Sequence, residues 1–246
     1  MKITLLQWNV WYKEDIRNIV QFLKSNPTDI VCLQELTIDS PDQVIKDSPL
    51  YVADQLGYNY HYKDLPLDPN DKNHMKLANG IFSKFPISHS TYTWINQPQS
   101  SGGYDDEFRA LVAATLDIDG RSLDVATAHM SYTHRFEGTA RKSQETQALV
   151  KALEGLSNPT IFTGDLNATP GSETVVAIEQ ILDNAGPAYD QNTWTTKPFS
   201  YNGFEETELN WRLDYAFKSS SIKVLSSEVP PTDYSDHLPL LITFEY

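Results

Sequence analysis

The order strand, helix, strand occurs twice in this sequence, and polar residues close all four of the strands. The second strands of the two units follow the same four letters, in SNPTDIVCLQE at 25–35 and SNPTIFTGDLN at 157–167. The first strands are ITLLQWN at 3–9 and LDVATAHMS at 123–131. SNPT alone is a common helix stop, but chance does not explain the matched order of elements. We interpret the pattern as a weak internal repeat of two layers that bring polar side chains to strand ends.

The helix inside each unit is predicted by apolar spacing. Apolar residues recur at i, i+3, i+4 and i+7 in two stretches: Ile16, Ile19, Val20 and Leu23 in the first, and Leu149, Ala152, Leu153 and Leu156 in the second. This spacing forms one apolar face of an α-helix. Asn-Pro then ends each helix, because the residue before proline disfavours the helical conformation.

Strand-like runs cover much of the remaining chain. They lie at 60–65, 79–87, 89–95, 108–118, 212–219, 222–229 and 238–246, and further helices are expected at 48–58 and 172–182. Residues 186–212 are expected to be irregular and are rich in aromatic side chains. Many apolar strands with few helices predict a layered α/β sandwich, with two packed sheets and the helices outside. No linker or low-complexity tract divides the chain, so we expect a single domain over residues 1–246.

The charge of the chain argues against tight binding to long duplex nucleic acid. The sequence has 33 acidic and 19 basic residues, for a formal net charge of −14. A surface of that sign repels a polyanion at long range. A local basic or metal-bearing cleft would reverse the field where it matters, and most of the acidity is explained by solubility alone.

Two features suggest a cytoplasmic protein without a membrane segment. The apolar run from Ile3 to Leu6 is too short for a signal peptide or a membrane span. The single Cys32 cannot form an internal disulfide, and its place in the run IVCL predicts a buried, inert thiol. A reducing compartment is therefore expected.

Polar residues interrupt or close apolar runs at several points along the chain. They are Asn9, Glu35, His129, Asp165, Asn167, Asp214, Asp236 and His237. A buried charge is costly unless it is paired or binds a metal, so these groups are expected to converge on one site. Asp165 and Asn167 are two residues apart, which places both on one face of an extended chain.

The residue types suggest metal-assisted hydrolysis. Carboxylate and amide oxygens favour Mg²⁺, with Mn²⁺ as the alternative, over Zn²⁺. A neutral imidazole takes a proton from water near neutral pH, and a carboxylate on its other nitrogen fixes the tautomer. The simplest reaction that uses all of these groups is attack of water on a phosphoester. Taken singly, Asn9 would more often be a backbone hydrogen-bonding residue, His129 a satisfied core histidine, and the Asp236–His237 pair a turn or a helix cap.

In chain order, these residues and their neighbours resemble the signatures of the endonuclease/exonuclease/phosphatase superfamily, also called deoxyribonuclease I-like. The matching motifs are WN at 8–9, QE at 34–35, NGIFSKFPI at 79–87, AH at 128–129, GDLNATP at 164–170, RLDYAF at 212–217 and SDHLPL at 235–240. Each motif is weak alone, but the complete ordered set runs from the first strand to the last. The resemblance implies a four-layer α/β sandwich, with two packed, mainly antiparallel β-sheets flanked by helices and the site at one edge of the paired sheets.

The resemblance also implies roles for single residues. Glu35 resembles the principal metal ligand, helped by Asn9 and Asp236. His237 resembles the general base, or the group that stabilises phosphate charge, with Asp236 or a neighbouring acid orienting it.

Four further residues take their expected roles from the same motifs. Asp165 resembles the group that holds or deprotonates the attacking water, and Asn167 a donor to a phosphate oxygen. His129 resembles a donor to a non-bridging oxygen or a group that assists the leaving group. Asp214 resembles the acid that orients a catalytic histidine.

Substrate-binding residues are less sharply indicated. Asn79 and Arg109 match positions where the family often places residues of the phosphate groove, although a surface arginine at the start of a strand is the alternative for Arg109. The aromatic stretch from Tyr189 to Trp211 would stack a base, or else form a small apolar cluster under a long connection, which we favour. Tyr104 follows Ser-Gly-Gly and is a further candidate in a flexible lid.

The expected function is that of a Mg²⁺-dependent phosphodiesterase or phosphomonoesterase. Its substrate is expected to be a small or single-stranded phosphorylated molecule, because the acidity disfavours a grip on long duplex DNA. A DNA or RNA endonuclease or exonuclease of the same superfamily is the alternative, with nucleic acid as the partner. A scaffold protein that kept the fold and lost catalysis is the alternative of another class, although such a protein would usually lack one of the residues named above.

Overall fold

The computed structural model describes residues 1–66, 75–97 and 107–246. Most of the polar stretch between the third and fourth strands lies outside these residues, and so does Tyr104.

The described elements begin with a strand–helix–strand unit. Strand β1 (Lys2–Asn9), helix α1 (Ile16–Ser25) and β2 (Ile30–Ile38) are followed by α2 (Ser48–Leu56), β3 (Asn59–Pro66), β4 (Lys76–Ser83), β5 (Ile87–Asn96) and β6 (Arg109–Ile118). The second unit consists of β7 (Arg121–His129), a 3₁₀ turn at His134–Phe136, α3 (Ala140–Glu154) and β8 (Thr160–Asp165). The chain then forms α4 (Glu173–Glu179), β9 (Asp183–Asn184), β10 (Phe199–Tyr201), β11 (Phe204–Glu206), β12 (Asp214–Lys218), β13 (Lys223–Glu228) and β14 (Leu240–Glu245).

Among the described residues the strands form two six-stranded sheets and a short hairpin. The first sheet has the order β13-β14-β1-β2-β4-β3, the second has the order β5-β6-β7-β8-β12-β9, and β10 pairs with β11. In each large sheet the first and second strands of one predicted unit are parallel neighbours, β1 with β2 and β7 with β8. The other described pairings in both sheets are antiparallel. The predicted repeat is therefore a real feature of the fold.

Three cores of apolar side chains hold the sheets and helices together in layers. Residues of both sheets, such as Ile3 and Ile81 of the first and Val112 and Ile161 of the second, share one buried core between the sheets. A second core joins the outer face of the first sheet to α1 and α2, and a third joins the outer face of the second sheet to α3 and α4. The predicted four-layer α/β sandwich is confirmed.

Helix boundaries follow their caps. Asp15 accepts a hydrogen bond from the Arg17 N–H at the start of α1, and α1 ends just before Asn26 and proline. Helix α3 begins at the Thr139 cap, well before the first apolar residue that predicted it. Its first two turns bury Lys142, Glu145 and Thr146, which carry no apolar signal.

The described structure differs from the sequence expectation between residues 186 and 212. A hairpin, β10–β11, lies inside this segment. Its Phe204 packs with Phe136, Trp194 and Leu213 in a small apolar cluster, with Phe199 and Trp211 at its margin. Trp194, Phe199, Phe204 and Trp211 thus form a satellite cluster of the kind we favoured, whereas Tyr189 packs against the core of the second sheet.

Two further expectations concern membranes and the thiol. No helix within the described residues is long and apolar enough to cross a membrane. Cys32 is buried between the sheets, and burial raises the pKa of its thiol to about 12. Such a thiol is inert at neutral pH, as predicted.

Candidate active site

The two parallel strand pairs bring the predicted polar residues to one edge of the sandwich. Asn9 is the last residue of β1, and it pairs with Gln34 of β2, next to Glu35. His129 and Asp165 are the last residues of β7 and β8 and lie directly opposite one another. Asp214 begins β12 and pairs with Asp165 from the other side. Parallel strands that end together place these side chains side by side.

Glu35 sits at an irregularity in β2. The register between β2 and β4 shifts between Leu33 and Leu36, and Glu35 has a φ of 60°. A bulged strand re-aims a side chain, and a left-handed φ in a non-glycine residue is kept only where the surrounding structure enforces it. The bulge directs the Glu35 carboxylate toward the sheet edge, where the Tyr12 N–H donates to Oε2 at 3.0 Å.

Asp214 orients His237. Its Oδ2 lies 2.8 Å from His237 Nδ1, and its Oδ1 accepts a hydrogen bond from Gln7 Nε2 at 2.8 Å. Burial alone would lower the pKa of His237, but the carboxylates of Asp214, Asp165 and Asp236 outweigh it and raise that pKa well above its usual value. Of the two acids considered from the sequence, Asp214 is the one that holds His237 Nδ1.

Asp165 lies between the two histidines. Its Oδ2 is 3.6 Å from His237 Nε2 and 3.5 Å from His129 Nε2. Burial raises the pKa of Asp165 to about 6, although the charge of His237 opposes the rise. Asp165 therefore faces both imidazole rings from the centre of the site.

Asn167 reaches the site through a turn. The extended geometry expected for Asp165 and Asn167 is wrong, because Asn167 has a φ of 44° and its N–H donates to Asp165 Oδ1 at 2.8 Å. Its Nδ2 donates to the Met130 carbonyl at 3.0 Å and faces His129 Nε2 at 3.1 Å. A protonated ring nitrogen cannot accept the amide hydrogen that faces it, so His129 carries its proton on Nδ1 in this arrangement.

The protonation of His129 follows from its surroundings. Burial, and then the positive charges of Arg109, His237 and Lys142, lower the pKa of His129 well below its usual value. His129 is thus a neutral acceptor toward Asn167. To donate a hydrogen bond to substrate from Nε2, as expected from the sequence, it would have to change tautomer and release Asn167.

Asn9 bridges the carboxylates. Its Nδ2 donates to Glu35 Oε1 and to Asp165 Oδ2, each at 3.0 Å, and its Oδ1 accepts the Trp11 N–H at 3.1 Å. For Asn9 to offer its oxygen to a metal ion beside Glu35, the amide must turn over. The oxygen and nitrogen ends of an amide are nearly alike in shape, but the exchange takes the acceptor from the Trp11 N–H, a loss that a bound cation would have to offset.

Asp236 faces the same cavity as Glu35. Trp194 Nε1 donates to Asp236 Oδ2 at 3.2 Å. Burial is the largest cause that raises the pKa of Asp236 to about 6, with His237 opposing the rise and Glu35 adding to it. Asp236 and Glu35 are thus carboxylates close enough to repel one another, an arrangement that a divalent cation would relieve.

The donor chemistry fits a hard divalent cation. Oxygen atoms of Glu35, Asp236 and Asp165 face one cavity at the edge of the fold, and the amide of Asn9 bridges Glu35 and Asp165. Donor atoms of Asp165, Asp214 and His237 also lie within 4.8 Å of one another. A metal ion in that second group would have to displace the 2.8 Å hydrogen bond between Asp214 and His237, so we favour the oxygen atoms around Glu35.

Arg109 and Asn79 are placed differently. Arg109 is buried and forms an ion pair with Glu107, and within the described residues its Nε has no hydrogen-bond partner. It lines the main cavity together with His129. Asn79 donates to the Ala110 carbonyl at 3.4 Å and lines only a small adjoining pocket beside Arg109. The structure therefore places Arg109 in the wall of the main cavity and Asn79 in the small pocket next to it.

The cavity has a volume of about 620 Å³ and two kinds of wall. One wall carries the carboxylates and histidines described above. The other is aromatic and includes Tyr132, Trp194 and Phe199. The ring centroids of Trp194 and His237 are 6.3 Å apart, so the aromatic wall begins directly beside the histidine.

Two supporting residues were not predicted from the sequence. Gln7 holds Asp214, and its position two residues before Asn9 in an apolar strand would have marked it, since both point to the same face. The Thr193 hydroxyl accepts hydrogen bonds from the N–H groups of Leu213 and Asp214, at 3.1 and 3.2 Å. Thr193 lies in an irregular segment and had no signal in the sequence.

Sequence comparisons link the chain to one family. The profile of the endonuclease/exonuclease/phosphatase family matches residues 6–237. A UPF0294 protein of Vibrio parahaemolyticus is 27% identical over 99% of this chain and 78% of its own length. A UPF0294 protein of Vibrio vulnificus is 30% identical over 61% of this chain, and that match spans only 46% of the relative.

Solved structures share the fold at low identity. A family protein from Leptotrichia buccalis has a TM-score of 0.73 and 19% identity, over 99% of this chain and 100% of that one. TDP2 of D. rerio, complexed with a single-strand DNA product, has a TM-score of 0.72 and 17% identity, over 100% and 99%. A mannosyl-6-phosphatase of Bacteroides thetaiotaomicron has a TM-score of 0.70 and 17% identity, over 99% and 100%.

Proposed function

This chain belongs to the endonuclease/exonuclease/phosphatase family, and on that premise we propose that it is a metal-dependent phosphoesterase that uses water as the nucleophile. Members of this family are hydrolases that act on phosphoester bonds. The observation that carries the proposal is the arrangement of His237. It is held at Nδ1 by Asp214 and lies 3.6 Å from Asp165 at Nε2, in the same cavity as Glu35 and Asp236.

In this proposal His237 stabilises charge on the phosphate. An imidazole between two carboxylates favours its protonated form, which has two N–H donors. One N–H goes to Asp214, and the other is directed from Nε2 toward Asp165 and the cavity. Of the two roles expected from the sequence, the charged donor fits this environment better than the general base.

Asp165 then serves as the base. Its Oδ1 accepts the Asn167 N–H, which orients the carboxylate, and its Oδ2 accepts from Asn9 until the Asn9 amide turns over toward the metal. A carboxylate with these bonds retains lone pairs that can accept a proton from the attacking water. As the new phosphorus–oxygen bond forms, the proton moves from water to Asp165, the bond between phosphorus and the leaving oxygen breaks, and the leaving oxygen takes a proton from solvent water.

The metal ion proposed here is Mg²⁺, with Mn²⁺ as the alternative, held by Glu35 and Asp236 and by Asn9 after its amide turns over. A bound divalent cation would polarise the phosphoryl oxygen and lower the pKa of coordinated water. Arg109 lies in the cavity wall, with an Nε that has no partner in the described part of the chain, and it would bind a phosphate oxygen. Asn167 would donate to a second phosphate oxygen. Asn79 would support this groove from the adjoining pocket.

The aromatic wall supports a substrate with a planar group next to the phosphate. Tyr132 and Phe199 are half-buried, with ring centroids 6.0 Å apart, and both line the cavity. Stacking of a base on such rings is worth about 1–3 kcal/mol. A small nucleotide-like or single-stranded substrate uses this wall, whereas a long duplex meets an acidic protein surface. The fold relatives do not choose between these classes, because their names include both a sugar phosphatase and a protein with a DNA product.

Two alternatives stand beside this proposal. The first is a nuclease of the same family, which would use the same residues on longer nucleic acid. The second is a binding protein without catalysis, and the complete set of predicted site residues argues against it. The cytoplasmic location and the single-domain organisation stay predictions.

The test is a substrate panel with and without Mg²⁺. It contains plasmid DNA, a single-stranded oligonucleotide, a dinucleotide, its abasic analogue, and a phosphomonoester. We expect metal-dependent cleavage of the dinucleotide or the oligonucleotide, and loss of turnover in His237→Ala. His89→Ala is the matched control, since His89 is exposed on β5. No turnover on any member by a folded, metal-loaded protein would refute the proposal, and full activity of His237→Ala would refute its mechanism.

The role of the aromatic wall has its own comparison. Phe199→Leu keeps an apolar side chain and removes the ring. We expect it to lower kcat/KM by about 5- to 150-fold on the dinucleotide, the equivalent of one stacked base, and to leave the abasic analogue unchanged. Equal effects on both substrates would show that the ring is structural only.

A further inference from the structure

We propose that Lys142 is a positioning residue of the active site, which fixes the strand end that carries His129 against the strand end that carries Asp165. The proposal goes beyond the reaction described above, although its kinetic test uses that reaction. Lys142 lies on α3, outside the cavity wall, and is not expected to touch substrate.

Lys142 joins two loops. Its Nζ donates to the Ser131 carbonyl at 2.8 Å and to the Leu166 carbonyl at 2.6 Å. Ser131 lies two residues after His129, and Leu166 lies between Asp165 and Asn167. One ammonium group therefore holds the backbone of both strand ends at the point where the site residues project.

The same two loops are also bonded to each other. The Met130 N–H donates to the Asp165 carbonyl at 3.0 Å, and Asn167 Nδ2 donates to the Met130 carbonyl at 3.0 Å. Lys142 closes this arrangement from the helix side. The distance of 3.5 Å between His129 Nε2 and Asp165 Oδ2 depends on the two loops remaining in register.

Glu145 is the counter-charge. Its carboxylate accepts the Ser131 N–H at 3.2 Å and the Ser131 hydroxyl at 2.6 Å. Lys142 and Glu145 are both buried, three residues apart on one helix. Burial lowers the pKa of Lys142 to about 8, although Glu145 and Asp165 oppose the shift. Glu145 thus binds the loop after β7, which Lys142 also binds, through the N–H and the hydroxyl of Ser131.

A simple packing role does not account for this pair. Farther along α3, Leu149 and Leu153 pack the helix against the second sheet without any polar group. The burial of charged groups carries a desolvation cost, so stability alone is a weak reason for Lys142 and Glu145 to lie here. What the two residues add is directional bonds, from Lys142 to two loop carbonyls and from the Ser131 N–H and hydroxyl to Glu145. A displacement of about 1 Å in a catalytic group can cost on the order of 100-fold in rate.

The test compares two α3 variants of similar burial. Lys142→Met removes the ammonium and keeps the length of the side chain. Thr146→Val is the matched control: Thr146 is buried one turn later, its hydroxyl donates to the Lys142 carbonyl at 2.8 Å within the helix, and it lies 2.8 Å from Thr174 Oγ1 on α4, without a hydrogen bond to the two loops in the described part of the chain. For each variant we would measure kcat and KM on the best substrate of the panel, together with Tm.

We expect Lys142→Met to lower kcat by about 10- to 100-fold with KM changed less than about threefold. Thr146→Val should keep kcat within about twofold of the wild type at a similar loss of Tm. Lys142→Arg, which keeps the charge and the donors, should recover part of the lost kcat. A kcat of Lys142→Met that falls no further than in the control would overturn the proposal.

A double variant and an NMR measurement test the proposal if Lys142→Met does not fold or if no substrate is turned over. If Lys142→Met does not fold, Lys142→Met/Glu145→Leu removes both buried charges and leaves neither unpaired. The ¹⁵N NMR signals of His129 report its Nδ1–H tautomer without any need for turnover. We expect the Lys142 variants to shift them and Thr146→Val to leave them in place. Unchanged His129 signals would overturn the proposal even if the wild type hydrolyses nothing in the panel, a result that would refute only the proposed function.

Discussion

Replacing Asp214 with asparagine isolates the charge that holds His237. The substitution keeps the shape of the side chain and removes its negative charge. Gln7 Nε2 donates to Asp214 Oδ1, so the amide oxygen of the new side chain stays with Gln7. The amide nitrogen then faces His237 Nδ1, and a donor meets a donor unless His237 loses its Nδ1 proton. We therefore predict that His237 becomes neutral in Asp214→Asn.

The structure sets the size of the effect. The Asp214 and His237 atoms are 2.8 Å apart, and Coulomb's law with an effective dielectric constant of about 20 gives an attraction of about 6 kcal/mol. A hydrogen bond to a charged group has a net worth of about 1.5–3 kcal/mol. These bounds correspond to a loss in kcat/KM of between about 10-fold and 10⁴-fold, since each 1.4 kcal/mol is tenfold. Because Asp165 and Asp236 still face His237, we expect a loss on the order of 10²- to 10³-fold.

The assay combines steady-state kinetics with ¹H–¹⁵N NMR of the histidines. Asp183→Asn is the matched control, because Asp183 is exposed on β9 and pairs with Lys218 at 2.9 Å, far less buried than Asp214. The control should retain wild-type kcat/KM. An Asp214→Asn enzyme with less than a threefold loss, or with a His237 ring still doubly protonated at pH 7, would refute the reasoning.

Two further predictions concern stability. Gly164→Ala would place its Cβ 2.1 Å from the Ala128 carbonyl oxygen on the neighbouring strand, so we expect a loss of at least about 1–3 kcal/mol in the free energy of unfolding, measured with urea. Gly138→Ala, where no atom lies within 4 Å, is the control and should stay near wild type. At Asp29, partial burial would raise the carboxyl pKa, but the Thr4 N–H and hydroxyl and the Lys84 ammonium lower it below its usual value. The stabilisation is thus present above about pH 4, the unfolded-state pKa, and is lost as pH falls through the folded-state pKa. The urea midpoint of Asp29→Asn should lie below that of wild type at pH 7 and approach it near pH 3, and a constant difference would contradict this.

The strand ends could be predicted because they break a simple pattern. Asn9, His129 and Asp165 are polar residues at the ends of apolar runs, and such runs are buried. The two parallel strands of each unit end at the same edge of their own sheet, whereas the convergence of both units on one site was predicted from the cost of buried charge and from the family resemblance. The prediction of a four-layer sandwich rested on the same pattern and on the resemblance of the ordered motifs to those of the family.

The contacts between individual side chains in the site could not be predicted from the sequence. Both Asp214 and Asp236 were candidates to orient His237, and only the pairing of β12 with β8 places Asp214 at 2.8 Å from Nδ1. The tautomer of His129 depends on Asn167, which adopts a left-handed turn rather than the expected extended conformation. Both contacts join residues that are far apart in the sequence, so the spacing of residues along the chain does not predict them.

The sequence also did not predict which polar residues of the helices are buried. Lys142 and Glu145 lie in ARKSQETQ, which has the composition of an exposed helix face. They are buried because the loops after β7 and β8 fold over the start of α3 and supply carbonyl and N–H partners. The β10–β11 hairpin was also missed, since its strands are three residues long and, among the described strands, pair only with each other.

The most direct test of the central claim is the Mg²⁺ dependence of phosphodiester hydrolysis in the wild type and in Glu35→Gln. The substitution keeps the shape of the side chain, leaves one acceptor oxygen for the two N–H donors of Asn9 and Tyr12, and removes the charge that would bind the cation. The account predicts turnover that saturates with Mg²⁺ in the wild type, is abolished by a chelator, and is lost in a folded Glu35→Gln protein. Wild-type turnover that persists in the chelator, or a Glu35→Gln enzyme with the same Mg²⁺ response, would contradict it.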